Sequence, residues 1–163
     1  MKKIEFKLIG IIHSPFKEPV NMPIQPVGAK GVKGTVEVFA EFEDGLKDLD
    51  GFSHIVLLFN FHLSKGYKLM VMPFMEDKIR GVFATRAPHR PNQIGMSIVR
   101  LEKIEKNILH ISNVDIVDGT PLLDIKPFVP KFDCFDINKN SKVGWLKKRV
   151  ERVEKHRSDE RFR

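Results

Sequence analysis

The chain has 163 residues, of which 42% are hydrophobic, and is long enough to bury the core of one ordinary domain. A formal net charge of +7 favours a polyanionic partner, although the same surplus also suits a protein that is merely soluble. The single cysteine, Cys134, excludes an internal disulfide and, with no Cys/His cluster at zinc spacing, favours a reducing cytoplasm.

The N-terminal residues combine two lysines with an apolar stretch that Glu5 and Lys7 interrupt. No small-residue cleavage site follows, so we interpret this stretch as a strand and not as a signal peptide. No apolar run approaches the roughly 18 residues that span a bilayer, and no membrane association is expected.

Short segments rich in Val, Ile, Leu and Phe alternate with turn-forming residues along most of the chain. Seven of them are predicted strands: 7–13, 35–39, 54–62, 68–72, 81–85, 96–104 and 108–114. The segment 54–62 is apolar at almost every position, as in a central strand, whereas 96–104 alternates. This rhythm predicts a mainly all-β fold, an antiparallel β-barrel of about seven strands that is closed or nearly closed.

The other segments differ in character. The loop 16–34 is rich in proline and glycine and is a candidate for carrying function, and a helical turn at 43–49 is expected to plug one barrel end. From Lys142 onwards, apolar residues recur along one helix face, which predicts a C-terminal α-helix: Val143, Leu146, Val150 and Val153. The segment 142–163 has nine basic and four acidic residues. We therefore divide the chain into a barrel domain, 1–136, and a basic helix, 137–163, that is not a separate domain.

Several familiar sites are missing from the sequence. There is neither a GxGxxG motif after a strand nor a GxxxxGK[ST] motif, which argues against Rossmann and P-loop nucleotide binding. His54 and His62 lie eight residues apart on one predicted strand, about 26 Å at the rise of a strand, too far to share a zinc ion. No metal site is predicted.

Two polar clusters remain. In TRAPHRPN, 85–92, two prolines restrict the backbone, and Arg86 and Arg90 could bind a carboxylate or phosphate or could form structural salt bridges. The second cluster, DIVDGTPLLDIKP at 115–127, is a strand, a turn and a strand by composition. Its Asp118 precedes a turn glycine and could meet a ligand, whereas Asp124 and Lys126 share a strand face and could simply pair.

These clusters carry a family resemblance. GVFATRAPHRPNQIGMSIVRL (81–101) and DIVDGTPLLDIKPFVP (115–130) closely resemble the core motifs of the TrmO-like (TsaA-like, YaeB type) methyltransferases. The similarity extends upstream through IGIIHSPFKEP (9–19), QP (25–26) and GFSHIVLLFNFH (51–62) and covers about residues 8–130. The chain departs from the family at Gln93, usually proline, and Phe128, usually tyrosine, and it lacks the larger C-terminal domain of some bacterial members.

The resemblance implies an antiparallel β-barrel enzyme that works as a homodimer in the cytoplasm, with S-adenosylmethionine bound near the subunit contact. The implied reaction is methylation of N6 of threonylcarbamoyladenosine at position 37 of tRNA, next to the anticodon. Carried over residue by residue, the implied cofactor site contains Gln25, Pro26, His62, Leu63, Arg86, Met96, Asp118, Gly119, Thr120 and Pro121.

Roles follow from chemistry. Arg86 is expected to hold the methionine carboxylate of the cofactor, Asp118 or the backbone of its turn to bind the ribose or amino group, and Met96 to form apolar wall. The candidate catalytic residues are His62, His89 and Asp118, and the choice between the two histidines as general base stays open. The apolar face of the C-terminal helix is expected to pack and its basic face to contact tRNA.

Two alternatives remain. The acceptor could be another modified nucleoside or a small molecule, because no acceptor pocket is identifiable from sequence. Alternatively, the chain could be a non-enzymatic RNA-binding barrel whose thirteen phenylalanines stack on bases. Plain adenine in DNA is disfavoured, since the chain has no [ND]PP[YF] motif.

Overall fold

Six antiparallel strands close into a barrel in the computed structural model, which describes residues 4–134 and 141–163. The spatial order is β1-β2-β7-β6-β3-β8. The barrel strands are β1 (Gly10–His13), β2 (Lys33–Val38), β3 (His54–Asn60), β6 (Ile94–Glu105), β7 (Ile108–Ser112) and β8 (Thr120–Pro127). Two short strands, β4 (Met70–Val71) and β5 (Arg80–Gly81), pair with each other outside the barrel.

Side-chain alternation along the strands builds the core. On β3 the buried residues are Ile55, Leu57 and Phe59, with half-buried residues between them, because successive side chains of a strand point to opposite faces. β3 pairs with β6 from His54 opposite Arg100 to Asn60 opposite Ile94. The inward-facing residues of all six strands meet in one hydrophobic cluster, so the barrel is filled by side chains.

The predicted closed barrel is confirmed, with six strands where about seven were expected. Five of the predicted segments contain barrel strands, and the segment 68–72 contains β4. The segment 81–85 is mainly a 3-10 turn, Val82–Ala84, which the Thr85 hydroxyl closes by donating to the Val82 carbonyl at 2.8 Å. The sixth barrel strand is β8, in the segment that composition described as strand, turn and strand.

The helical turn expected at 43–49 is present as two 3-10 turns, Ala40–Leu46 and Leu49–Gly51. Leu46 is buried against the barrel core, and Phe42 and Leu49 pack beside it. This segment therefore covers the core with apolar side chains, as the prediction required.

The predicted C-terminal α-helix is wrong. Residues from Lys142 onwards form three 3-10 turns, Gly144–Lys148, Val150–Lys155 and Glu160–Phe162. Gly144 has a φ of +57°, and Arg149 between the first two turns has a φ of −129°, so a continuous helix is interrupted twice. Within the described ranges the α-helix is Pro130–Asp133. The predicted boundary at Asp136, like the start of the basic segment at 137, lies outside the described residues.

The C-terminal segment, 144–163, is fastened to the loops around one barrel end. The Trp145 indole donates to the Ala84 carbonyl at 2.8 Å, and the Ser158 amide donates to the Met22 carbonyl at 2.9 Å. Phe162 is buried in a second apolar cluster with Val71, Val82, Ala87 and Phe74. None of the helices formed by the described residues is long and apolar enough to cross a membrane.

Candidate functional site

A cavity of about 300 Å³, here called the strand-end cavity, lies at the barrel end where three neighbouring strands meet. β3 ends there, and its antiparallel neighbours β6 and β8 both begin there. The strands contribute Phe59, Met96, Ser97 and Thr120 to its wall. The rest of the wall comes from the proline-rich loop (16–34), the arginine loop (85–92) and the C-terminal segment. The C-terminal segment supplies Ser158 and Phe162.

The two arginines of the 85–92 loop have different tasks. Arg90 Nη1 donates to three backbone carbonyls in or just before its own loop. These are the carbonyls of Val82, Thr85 and Ala87, at 3.2, 2.9 and 3.4 Å. It therefore holds the loop in shape. Arg86 lines the cavity, and its Nη1 donates to Gln25 Oε1 at 2.5 Å, so the proline-rich loop orients it. Arg86 is the arginine that is positioned to meet a ligand.

Asp115 is a cavity residue that sequence reasoning missed. The Ser97 hydroxyl donates to its Oδ1 at 2.6 Å, and both side chains line the strand-end cavity. Desolvation raises the pKa of Asp115 to about 6, against the opposing effects of the Ser97 hydrogen bond and the Arg86 charge. A signal was present in the sequence, because this acid stands between Val114 and Ile116, which are both buried.

Asp118 lies behind the cavity wall and not on it. Its carboxylate accepts from Lys17 Nζ at 2.6 Å and from the Ser14 amide at 3.0 Å, and His13 Nδ1 is 3.6 Å away. The Lys17 hydrogen bond, followed by that of Ser14, lowers the pKa of Asp118. This aspartate thus ties the turn to the segment after β1, which is a structural role.

The turn that follows Asp118 has the geometry expected of a DG pair. Gly119 has a φ of +74°, in the left-handed region that glycine favours, and its amide donates to the Ile12 carbonyl at 2.9 Å. Thr120 lines the cavity, while Pro121 lies opposite Ile11 in the β1–β8 ladder. Of the predicted turn residues, Thr120 alone therefore reaches the strand-end cavity.

The two histidines also separate. His62 follows β3 and lines the cavity as an exposed residue, together with Leu63. His89 is half-buried, with its ring 5.3 Å from that of Phe162, and desolvation lowers its pKa. His89 does not belong to the cavity lining.

A wider groove of about 830 Å³, here called the outer groove, adjoins the cavity. The two share Gln25, Arg86 and Met96, and the outer groove adds Pro26, so seven of the ten residues predicted to bind the cofactor lie along the two adjoining depressions, whereas Asp118, Gly119 and Pro121 line neither. Six of them line the cavity itself: Gln25, His62, Leu63, Arg86, Met96 and Thr120.

The lining suits one chemical type of ligand. Arg86 offers a cation for a carboxylate, Asp115 offers an acid for a cationic or proton-bearing group, and Phe59, Phe61 and Met96 offer apolar surface for a flat ring. No group of three or more His, Cys, Asp or Glu residues that could hold a metal ion occurs in residues 4–134 or 141–163.

Comparison with known proteins gives a consistent set of relatives. The family described as "tRNA-methyltransferase O N-terminal domain" matches residues 11–134. A probable S-adenosyl-L-methionine-binding protein of Pyrococcus abyssi is 57% identical over 157 residues, which cover 96% of this chain and 84% of the relative. The tRNA (adenine(37)-N6)-methyltransferase of Escherichia coli is 39% identical over 140 residues, covering 80% and 60%.

Solved structures agree with these relatives. The crystal structure of TrmO from Pseudomonas aeruginosa superposes with a TM-score of 0.71 at 41% sequence identity, covering 85% of this chain and 62% of that one. The chain thus spans most of the Pyrococcus relative but less than two thirds of the Escherichia and Pseudomonas proteins. The family match ends before Ser158 and Phe162, which line the cavity.

Proposed function

The chain belongs to the family of the tRNA-methyltransferase O N-terminal domain, and we propose that it transfers a methyl group from S-adenosylmethionine to an adenine N6 nitrogen of tRNA. The acceptor in this proposal is threonylcarbamoyladenosine at position 37. The observation that carries the proposal is the strand-end cavity, which brings Arg86 and Asp115 to one apolar-walled space.

The bound cofactor would supply a methyl carbon attached to a positively charged sulfur. Arg86, which Gln25 orients, would hold the carboxylate of its methionine part through a charge-assisted pair. Phe59, Phe61 and Met96 line the apolar wall. A rigid strand end fixes these groups and excludes water, which lowers the barrier to a direct displacement. The reason is that the reactants lose their translational and rotational freedom when they bind, so that this entropy is not lost in the reaction step.

The remaining predicted residues take supporting roles. Leu63 and Thr120 complete the cavity wall, and Pro26 extends it into the outer groove. Asp118, with Gly119 and Pro121, holds the turn that presents Thr120. His62 stands at the cavity wall, where it can contact the acceptor nucleotide.

Exposed cations of the C-terminal segment form the proposed tRNA contact. Lys147, Arg152 and Lys155 are exposed, and the turns that carry them also contribute Val150 and Val153 to the outer groove. Positive charge next to the acceptor entrance attracts a phosphate backbone through counterion release. We also propose a cytoplasmic location, which is consistent with a tRNA substrate.

We also propose a homodimer. The β4–β5 arm, here residues 69–83, exposes several large apolar side chains, among them Leu69, Met70, Ile79 and Phe83, which is 75% exposed. Several large exposed apolar side chains in one short segment favour a role in a protein interface. Phe83 lines the outer groove, so a second copy seated on the arm would lie beside the proposed cofactor site.

The decisive experiment uses purified protein, methyl-labelled S-adenosylmethionine and tRNA, followed by mass spectrometry of the nucleosides. We expect label on threonylcarbamoyladenosine and none with matched tRNA that lacks the threonylcarbamoyl group. Label on another nucleoside would reject this acceptor and keep the enzyme class. Calorimetry without saturable heat for the cofactor would instead support the RNA-binding barrel.

A further inference from the structure

The proposed reaction needs a group that takes a proton from the acceptor nitrogen. Among the described residues that line the strand-end cavity, Asp115 is the acidic one. The residues predicted for this role are less suitable, since Asp118 is paired with Lys17 behind the wall and His89 lies outside the lining. His62 lines the cavity but is exposed to solvent.

The surroundings of Asp115 resemble those of a general base more than those of a structural acid. The Ser97 hydroxyl donates to Oδ1 at 2.6 Å, and the backbone of Asp115 itself adds a hydrogen bond to the carboxylate. The carboxylate is therefore held in place on the wall of the cavity, where a ligand can meet it. Val114 and Ile116 are buried on either side and anchor the backbone that carries the carboxylate.

Resting on the function proposed above, we propose that Asp115 is the catalytic residue that accepts the N6 proton of the acceptor adenosine. As the N6 nitrogen bonds to the methyl carbon, the electron pair of the broken carbon–sulfur bond stays on sulfur. The N6 proton passes to a carboxylate oxygen of Asp115 and from there to solvent. The N–H between a purine and a carbamoyl carbonyl is acidic enough for a carboxylate base to assist.

The electrostatics of the cavity fit this task. A general base works best when its pKa lies near the operating pH, and desolvation brings the pKa of Asp115 to about 6. The charged and titratable groups that face the same cavity are Arg86 and Arg90 on the arginine loop and His62 after β3. Arg86 opposes the desolvation of Asp115, so the carboxylate stays ionised at neutral pH.

The test compares Asp115→Asn and Ser97→Ala with the wild type and with Asp124→Asn, a matched control. Asp124 lies on β8 and does not line the cavity. Its carboxylate pairs with Lys126 Nζ at 2.7 Å. Cofactor affinity is measured by calorimetry and methyl transfer by single-turnover kinetics between pH 5 and 9. The titration of the Asp115 carboxyl carbon is followed by NMR in the protein without cofactor.

We expect Asp115→Asn to bind cofactor within about threefold of the wild type and to lose roughly a hundredfold or more in transfer, as is typical when a general base is removed. Ser97→Ala should keep transfer but move both the pH–rate midpoint and the NMR titration of Asp115 to higher pH, because the lost hydrogen bond stabilises the carboxylate. Asp124→Asn should match the wild type.

Three outcomes would overturn the assignment. Near wild-type transfer by Asp115→Asn would remove the base role, and a tenfold or greater loss of cofactor affinity would make Asp115 a cofactor ligand instead. A pH–rate midpoint that stays in place in Ser97→Ala while the NMR titration moves would show that another group titrates. A wild-type protein that binds cofactor but methylates no tRNA would instead reject the proposed function, and the base role with it.

Discussion

Replacing Asp115 with asparagine is expected to stabilise the fold at neutral pH. Desolvation raises the pKa of Asp115 from its ordinary 3.8 to about 6, which means that the folded protein holds the ionised form at a cost. A displacement of about two pH units corresponds to roughly 3 kcal/mol. Asparagine carries no charge, and its side-chain oxygen can still accept the hydrogen bond from Ser97.

The sign of the pH dependence follows from the two pKa values. Below pH 3.8 both folded and unfolded states are protonated, and the group contributes nothing. Between 3.8 and about 6 the unfolded state releases the proton first, so stability falls as the pH rises. Above about 6 the whole cost is present, and it is absent from the asparagine variant.

Urea unfolding at pH 4 and pH 8 measures this cost. At each pH, the free energy of unfolding of the wild type is subtracted from that of Asp115→Asn. This difference should be about 2 to 3 kcal/mol larger at pH 8 than at pH 4. Asp124 forms an exposed pair with Lys126. The corresponding difference in free energy of unfolding for Asp124→Asn should therefore change by less than about 1 kcal/mol between pH 4 and pH 8. An Asp115→Asn difference that is equal at both pH values would refute the desolvation of this carboxylate.

Three further predictions concern the site and its wall. Arg86→Ala should weaken cofactor binding about tenfold or more in calorimetry, whereas Arg100→Ala, on the outer face of β6, should not; equal affinities would remove Arg86 from the site. Phe162→Ala removes a ring whose centroid lies 5.0 Å from that of Phe74 and should destabilise the docked C-terminal segment by about 3 kcal/mol. Hydrogen exchange at 158–163 should therefore become faster, and unchanged exchange would show that Phe162 does not anchor the segment. The hydrogen bond from Arg80 lowers the pKa of Glu76 to about 2, so its contact with Arg149 should persist at pH 4.5 and weaken towards pH 2. Pepsin cleavage within 144–163 should rise over that range, and a flat profile would place the anchor elsewhere.

The barrel was predictable because its strands carry a local signal. Burial alternates along β3 and along most of β6, and an alternating pattern can be recognised without knowledge of the partner strands. β8 has a weaker signal, since Asp124 and Lys126 lie on it and two prolines lie near its ends. The predicted pairing of those two charges is confirmed at 2.7 Å. β8 is a strand because it closes the sheet between β1 and β3, which is a long-range cause.

The prediction of a C-terminal α-helix is wrong for a related reason. Val143 and Val150 of the predicted stripe are each 48% exposed, and Val153 is buried. The segment is held by residues outside that stripe, such as Trp145, Arg149 and Phe162. A spacing of three and four residues fits a helix, but contacts with distant loops decide the conformation of a short terminal segment.

The site could be predicted in part. Arg86 and Arg90 look alike in sequence and both line the cavity, and only the folded loop shows that Arg90 binds its own backbone while Arg86 is held by Gln25. In the sequence, Asp118 stands out among the acids because it directly precedes the turn glycine, Gly119. The path of residues 113–119 past the barrel end instead directs Asp115 to the cavity and pairs Asp118 with Lys17, and the only local sign of this in the sequence is that Asp115 stands between two apolar residues.

The two sources of the cavity wall imply how a ligand enters. Six strands joined by backbone ladders form one side, whereas the C-terminal segment is held by side-chain contacts and single hydrogen bonds to loops, including Trp145 to Ala84 and Ser158 to Met22. Terminal segments that are fastened to loops, outside the strand ladders, open locally at a lower free energy than that at which the sheet unfolds. The wall around Phe162 can therefore open and close while the barrel keeps Arg86 and Asp115 near their binding geometry. A bound ligand should accordingly slow hydrogen exchange more strongly at 158–163 than in β3 or β6.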